Sequence, residues 1–226
     1  MGNQLYRNLP NIASILGVIP LGLLLLPQGY KFLIPLIIYN NFMDDLDGVL
    51  AVRLNLKSQF GAILDNVCDV VSHTLVVLFL GMHFGGPCAL ASVAAAAGII
   101  LRISSRLNAP PVTPRGSATN ELIRHILFIL ILAQQFEFNA TIGLTILFVM
   151  HGLSMLAPFE MPHLIRSKVS SVAAIGAINL VLLIAWLVPV TAVPIAACFA
   201  LTYLYSFVTR GFGWLNSPKQ TSPQST

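Results

Sequence analysis

Apolar runs of about 20 residues recur along the whole chain, and in a helical protein a run of that length crosses the hydrocarbon of a bilayer. We read about eight of them, at 9–27, 31–53, 59–82, 87–106, 119–136, 139–158, 169–189 and 191–210, the last two divided at Pro189 and Pro194. Backbone polar groups in lipid must be satisfied within the segment itself, so each run is expected to be a helix. The composition agrees, with 56% hydrophobic and 9% charged residues and a mean hydropathy of +0.83. The expected fold is therefore all-α: a polytopic bundle of about eight transmembrane helices over residues 1–212, followed by a polar, disordered tail at 213–226.

Positive charge sets the expected orientation. The chain carries 12 Lys and Arg residues, and an N-terminus in the cytoplasm puts all of them except Lys31 on the cytoplasmic side. That asymmetry follows the positive-inside rule and places both termini in the cytoplasm. The net charge of +4 and pI near 9.2 are then accounted for by topology, without a nucleic-acid partner. The first run is longer than the apolar stretch of a signal peptide and lacks a small-x-small cleavage site, so it reads as a retained helix. Cys68, Cys88 and Cys198 lack metal-ligand spacing and lie in apolar runs, which suits inert thiols without a disulfide.

Against this background residues 44–69 stand out. Asp44, Asp45, Asp47, Asp65 and Asp69 are five of the eight acidic residues in the chain. A charge at membrane depth costs a few kcal/mol on insertion scales and marks a functional site by default. Asp44 and Asp47 are spaced to share one helical face, as are Asp65 and Asp69. Gly48 and Ala51 extend the first face and Gly61 the second, leaving room for a bulky ligand. Folding the two helices into a hairpin about the polar turn 55–59 sets Asp44 level with Asp69 and Asp47 level with Asp65. The four carboxylates converge roughly 12–18 Å from the turn at 1.5 Å per residue. Such a cluster stays ionised only with cations between its members, and all-oxygen ligands suit Mg2+ or Mn2+.

The surrounding residues admit two readings each. Asn40 and Asn41 can contact a nucleotide or bond the carboxylates, while Asp45, on another face, reads as a supporting residue. His73 is placed to hydrogen-bond Asp69. Arg102 and Arg106 share a face and serve either as interfacial anchors or as a clamp for an anionic acceptor group. Glu121 is positioned to pair with Arg124 or His125, and Asn8-Leu9-Pro10-Asn11 opens the first helix. Residues 109–118 form a Pro-rich loop and 159–168 a short basic one.

The pattern Asp-x2-Asp-Gly-x2-Ala-Arg-x8-Gly-x3-Asp-x3-Asp resembles the signature of the CDP-alcohol phosphatidyltransferase family. Asp44, Asp47, Gly48, Ala51, Gly61, Asp65 and Asp69 all fall in register. One position departs: Val52 stands where the signature has Arg, and Arg53 follows one residue later, turned about 100° around the helix. The resemblance implies a six-helix core with two added helices and an active site in a cytoplasm-facing polar cavity. It implies transfer of a substituted phosphate from a CDP-alcohol such as CDP-diacylglycerol to a hydroxyl acceptor, with release of CMP. Two divalent cations, Mg2+ or Mn2+, are then held by Asp44, Asp47, Asp65 and Asp69, with Asp69 also the general base. Gly48, Ala51, Gly61 and Arg53 receive the donor, Arg102 and Arg106 the acceptor, and the enzyme is a homodimer. Asp65-Asn66-Val67-Cys68-Asp69-Val70-Val71-Ser72 is similar to the sequence of serine-accepting members. Glycerol 3-phosphate or inositol phosphate is the alternative acceptor, and a carboxylate-lined cation transporter is the alternative from another functional class.

Overall fold

The computed structural model describes residues 2–107, 118–156 and 172–216. Among these the chain is helical, without strands: α1 Gly2–Arg7, α2 Leu9–Val18, α3 Leu33–Arg53, α4 Gln59–Phe84, α5 Gly86–Leu107, α6 Ala118–Phe136, α7 Thr141–Leu156, α8 Val172–Leu187 and α9 Ala192–Leu215. The expected all-α bundle is what forms, and each apolar run carries a helix. The first run is not continuous: Pro20 lacks an amide proton, and Ile19–Leu25 tightens into a 3-10 helix after α2. Of the expected loop at 109–118 only Ala118, which opens α6, is described; the loop at 159–168 lies outside the described residues, and of the expected tail at 213–226 α9 takes in residues up to Leu215 while those from 217 lie outside them.

Of the expected spans, three are long and apolar enough to cross a membrane among the described residues: Gln59–Phe84, Gly86–Ser105 and Pro189–Gly213. Charge separates α3 from them, since its 21 residues include Asp44, Asp45, Asp47 and Arg53. Length separates α7 and α8, each of 16 residues. Such helices extend about 24 Å, short of a ~30 Å hydrocarbon core.

Packing follows the helical period. The inner face of α7 is Leu144, Phe148, His151, Gly152 and Met155, and that of α4 is Asp69, Ser72, His73, Val76, Val77 and Leu80. Small residues allow close approach where helices meet, as expected for association in lipid. A Cβ on Gly98 would lie 3.4 Å from Gly152 O, where α5 crosses α7, and one on Gly17 would lie 2.9 Å from Met43 Cβ, where α2 meets α3. Large side chains such as Leu90, Val93, Ile142 and Leu201 are exposed, an outer surface suited to lipid. The feature that positions the site is α2. It packs along both α3 and α4, while those two helices meet each other only over a short stretch.

Candidate metal centre and donor cleft

The turn between α3 and α4 is closed by its own backbone. Leu56 N–H bonds to Ala51 O at 2.9 Å, and Asn55 takes a left-handed conformation at φ 53°. Ser58 caps α4, its hydroxyl accepting from Gly61 N–H at 2.9 Å. Small residues of both helices, Gly48 and Ala51 of α3 and Gly61 and Ala62 of α4, thereby line one cleft near the turn.

One turn further in, carboxylate oxygens of Asp44, Asp47 and Asp65 all lie within 4.8 Å of one another. Asp47 is buried and the other two are half-buried. The expected pairing of α3 and α4 faces therefore brings three of the four carboxylates together. Asp69 is not in that group. It sits one turn deeper on α4, buried, with its Oδ1 3.8 Å from His73 Nε2, the neighbour expected for it. The helices α3 and α4 meet only over a short stretch, and α2 packs against both of them.

Other elements orient the cluster. Ser14 of α2 donates its hydroxyl proton to Asp47 Oδ2. Asn120, at the start of α6, donates from Nδ2 to Asp44 Oδ2 at 3.1 Å. Neither was singled out from the sequence as a site residue. Asp45 points away, as expected of a supporting residue. Its Oδ2 accepts from Asn179 Nδ2 at 2.8 Å, and Asn41 donates to Asn179 Oδ1 at 2.9 Å, so a buried polar triad ties α3 to α8. Asn40 turns to α2, donating to Gly17 O at 3.2 Å, so it is engaged with backbone and does not line the cleft.

A cleft of about 200 Å3 opens over the cluster. Its walls include Asp47, Gly48 and Ala51 from α3, Gly61 and Asp65 from α4, and Pro10, Asn11 and Ser14 from α2. The three small-residue positions expected from spacing on α3 and α4, Gly48, Ala51 and Gly61, are thus joined by a third wall from the opening segment of the chain. A Cβ on Gly48 would meet nothing within 4 Å, so that glycine faces open space in the cleft. A Cβ on Gly61 would come 3.0 Å from Ser58 Oγ and 3.1 Å from Asn11 Oδ1. Arg53 and Val52 are exposed at the end of α3 and do not line the cleft, whereas Lys57, in the turn, does. Arg102 lies near the end of α5 and is likewise not part of the lining. The side chain of Arg106 lies outside the described residues. Glu121 pairs with Arg124 at 2.9 Å, as spaced.

The donor set fits a hard divalent cation. Three carboxylates within 4.8 Å, one buried and two half-buried, repel one another unless a cation or protons lie between them. Fold and site together define a helical membrane protein with a carboxylate centre beneath a small-residue cleft. The chain belongs to the CDP-alcohol phosphatidyltransferase family, whose sequence profile matches residues 7–208. A protein of Aquifex aeolicus (strain VF5) described as uncharacterized is 35% identical over 82 residues, covering 35% of this chain and 42% of that protein. The chain thus aligns with less than half the length of that relative.

Proposed function

We propose that the protein transfers a phosphatidyl group from a CDP-alcohol such as CDP-diacylglycerol to a hydroxyl acceptor, releasing CMP, as a step of phospholipid synthesis. The observation that carries this reading is the Asp44, Asp47 and Asp65 cluster beneath a cleft walled by Gly48, Ala51 and Gly61, in a chain of this family. Two divalent cations, Mg2+ or Mn2+, bound by these carboxylates would neutralise the pyrophosphate and the departing CMP oxygen.

The chain's own residues supply position and proton transfer. Gly48, Ala51 and Gly61 admit the nucleotide close to the backbone, and Lys57 meets its phosphates from the turn. Ser14 and Asn120 hold Asp47 and Asp44 in place, so the carboxylates need little reorganisation when the donor arrives. Asp69, one turn deeper, takes the proton of the attacking hydroxyl. The acceptor oxygen bonds to the phosphorus carried by the lipid alcohol, and the bond from that phosphorus to the CMP oxygen breaks. An amino-alcohol such as serine is the acceptor, as residues 65–72 suggest, and Arg102 and Arg106, spaced to share one helical face, receive its carboxylate. The reading takes residues 1–212 as one catalytic domain with a polar tail, the cleft opening to the cytoplasm, and two copies pairing in the membrane.

The test is an acceptor panel with labelled CDP-diacylglycerol and Mn2+, offering serine, glycerol 3-phosphate and inositol phosphate in turn. Serine-dependent CMP release with a labelled aminophospholipid is expected. Activity with another acceptor would move the acceptor assignment, and no CMP with any acceptor would overturn the transferase reading.

A further inference from the structure

At the end of the bundle away from the metal centre lies a second cavity, of about 660 Å3. It gathers the start of α3, the ends of α4, α6 and α8, and the turn into α7. Lys31, the single basic residue expected off the cytoplasmic side, lines it. Gln28 Oε1 accepts one proton from its Nζ at 2.9 Å. An aromatic wall stands beside it: Tyr30 stacks on His83 with ring centroids 4.0 Å apart and planes 6° apart, and both meet the edge of Phe84. Asn139 and Thr141 add polar groups on the far side. Glu137 is exposed in the same turn and does not line the cavity.

The cavity does not end there. Pro35 and Trp186 also line an apolar groove of about 440 Å3 between α3 and α8, which continues past Ile38, Tyr39 and Phe42. A cation and polar groups at one end of an apolar channel call for an amphipathic anion. A free phosphate would leave most of this volume and its apolar wall unfilled. Pro35 and Asp47 are 12 residues apart on α3, about 18 Å at 1.5 Å per residue, so the two sites lie toward opposite ends of that helix.

We propose that this cavity binds an anionic phospholipid of the leaflet opposite the metal centre, with Lys31 meeting its phosphodiester and one acyl chain lying between α3 and α8. Lys31 donates to the phosphate oxygens with the two protons not used by Gln28, and the Tyr30–His83 stack and Trp186 flank the glycerol region. The occupied groove packs on the helix that carries Asp44 and Asp47, so the lipid braces the catalytic helix from its far side. The proposal stands independently of the reaction assigned to the opposite end.

The test uses the full chain in nanodiscs and a photoactivatable phosphatidylglycerol, with crosslinks mapped by peptide mass spectrometry. Labelling is expected in residues 30–35 and 134–141, competed by phosphatidylglycerol and not by phosphatidylcholine. Lys31→Gln should reduce it about tenfold, the loss expected of one charge-assisted hydrogen bond, and Lys31→Arg should restore it. Labelling should persist with saturating CDP-diacylglycerol. Loss of labelling under that donor would make the groove part of the donor site and overturn the proposal. Displacement by millimolar inorganic phosphate would identify a free-anion site instead. Equal labelling by a phosphatidylcholine probe, or no change in Lys31→Gln, would reduce Lys31 to an interfacial anchor.

Discussion

The triad of Asn41, Asp45 and Asn179 gives a prediction whose size follows from the structure. The three residues are 6%, 5% and 9% exposed, so the Asp45 carboxylate depends on protein donors. Asn179→Ala removes the 2.8 Å bond to Asp45 Oδ2 and the acceptor of the 2.9 Å bond from Asn41. A hydrogen bond to a charged group contributes about 1.5–3 kcal/mol, and a buried ion stripped of all partners costs about 3–5 kcal/mol. Asp45 keeps other interactions, so the lower range applies. For a chain of this size each kcal/mol moves Tm by roughly 2–4 °C, giving a fall of about 3–12 °C. Thermal unfolding in detergent, followed with a thiol-reactive dye that reports exposure of the buried Cys88, measures it. Asp45→Asn in the Asn179→Ala background should recover part of the loss, with a coupling of about 0.5–3 kcal/mol in the double-mutant cycle. A Tm within 1 °C of the parent, or a coupling of zero, would refute the view that this triad ties α3 to α8.

Three further outcomes follow from the cleft and the topology. Gly48→Leu should leave Tm nearly unchanged, because its side chain enters open space, yet raise the donor KM at least tenfold by filling the cleft. Lys57→Ala should raise the donor KM about tenfold, whereas Arg53→Ala, off the cleft wall, should change it less than twofold; the reverse result would mean that α3 unwinds to bring Arg53 inward. In a cysteine-free background Ser58→Cys should react with an impermeant maleimide from the cytoplasmic side and Asn139→Cys from the opposite side, and the reversed pattern would invert the orientation.

Much of the site was legible because local spacing encodes it. Asp44, Asp47 and Gly48 fall on one face of α3, and Asp65 and Gly61 on one face of α4, so the helical period alone aligned them. What spacing does not encode is which non-adjacent helix packs on that face. Ser14 reaches Asp47 across 33 residues, Asn120 reaches Asp44 across 76, and Asn179 reaches Asp45 across 134. Asn179 is a lone polar residue in α8, whereas Ser14 shares α2 with Asn11 and Asn120 opens the polar start of α6, and in none of the three does the sequence show the partner. The expected convergence of all four carboxylates assumed two helices in contact along their length, whereas α3 and α4 meet only over a short stretch and α2 packs on both. The cation on the cleft wall had a similar limit: Lys57 lies in the turn, where helical spacing predicts nothing about direction. The helices themselves were readable from apolar length, but the break after α2 was not expected, because a count of apolar residues passes over the amide proton that Pro20 lacks.

The central claim is that the carboxylate cluster of Asp44, Asp47 and Asp65 does its chemistry with a divalent cation. The most direct measurement is CMP release from CDP-diacylglycerol by EDTA-stripped protein during a Mn2+ titration, in the parent and in Asp47→Asn. The account predicts no release without metal, saturable recovery in the parent, and loss of at least a hundredfold in Asp47→Asn at every Mn2+ concentration. Full CMP release in EDTA, or an Asp47→Asn protein that titrates like the parent, would contradict it.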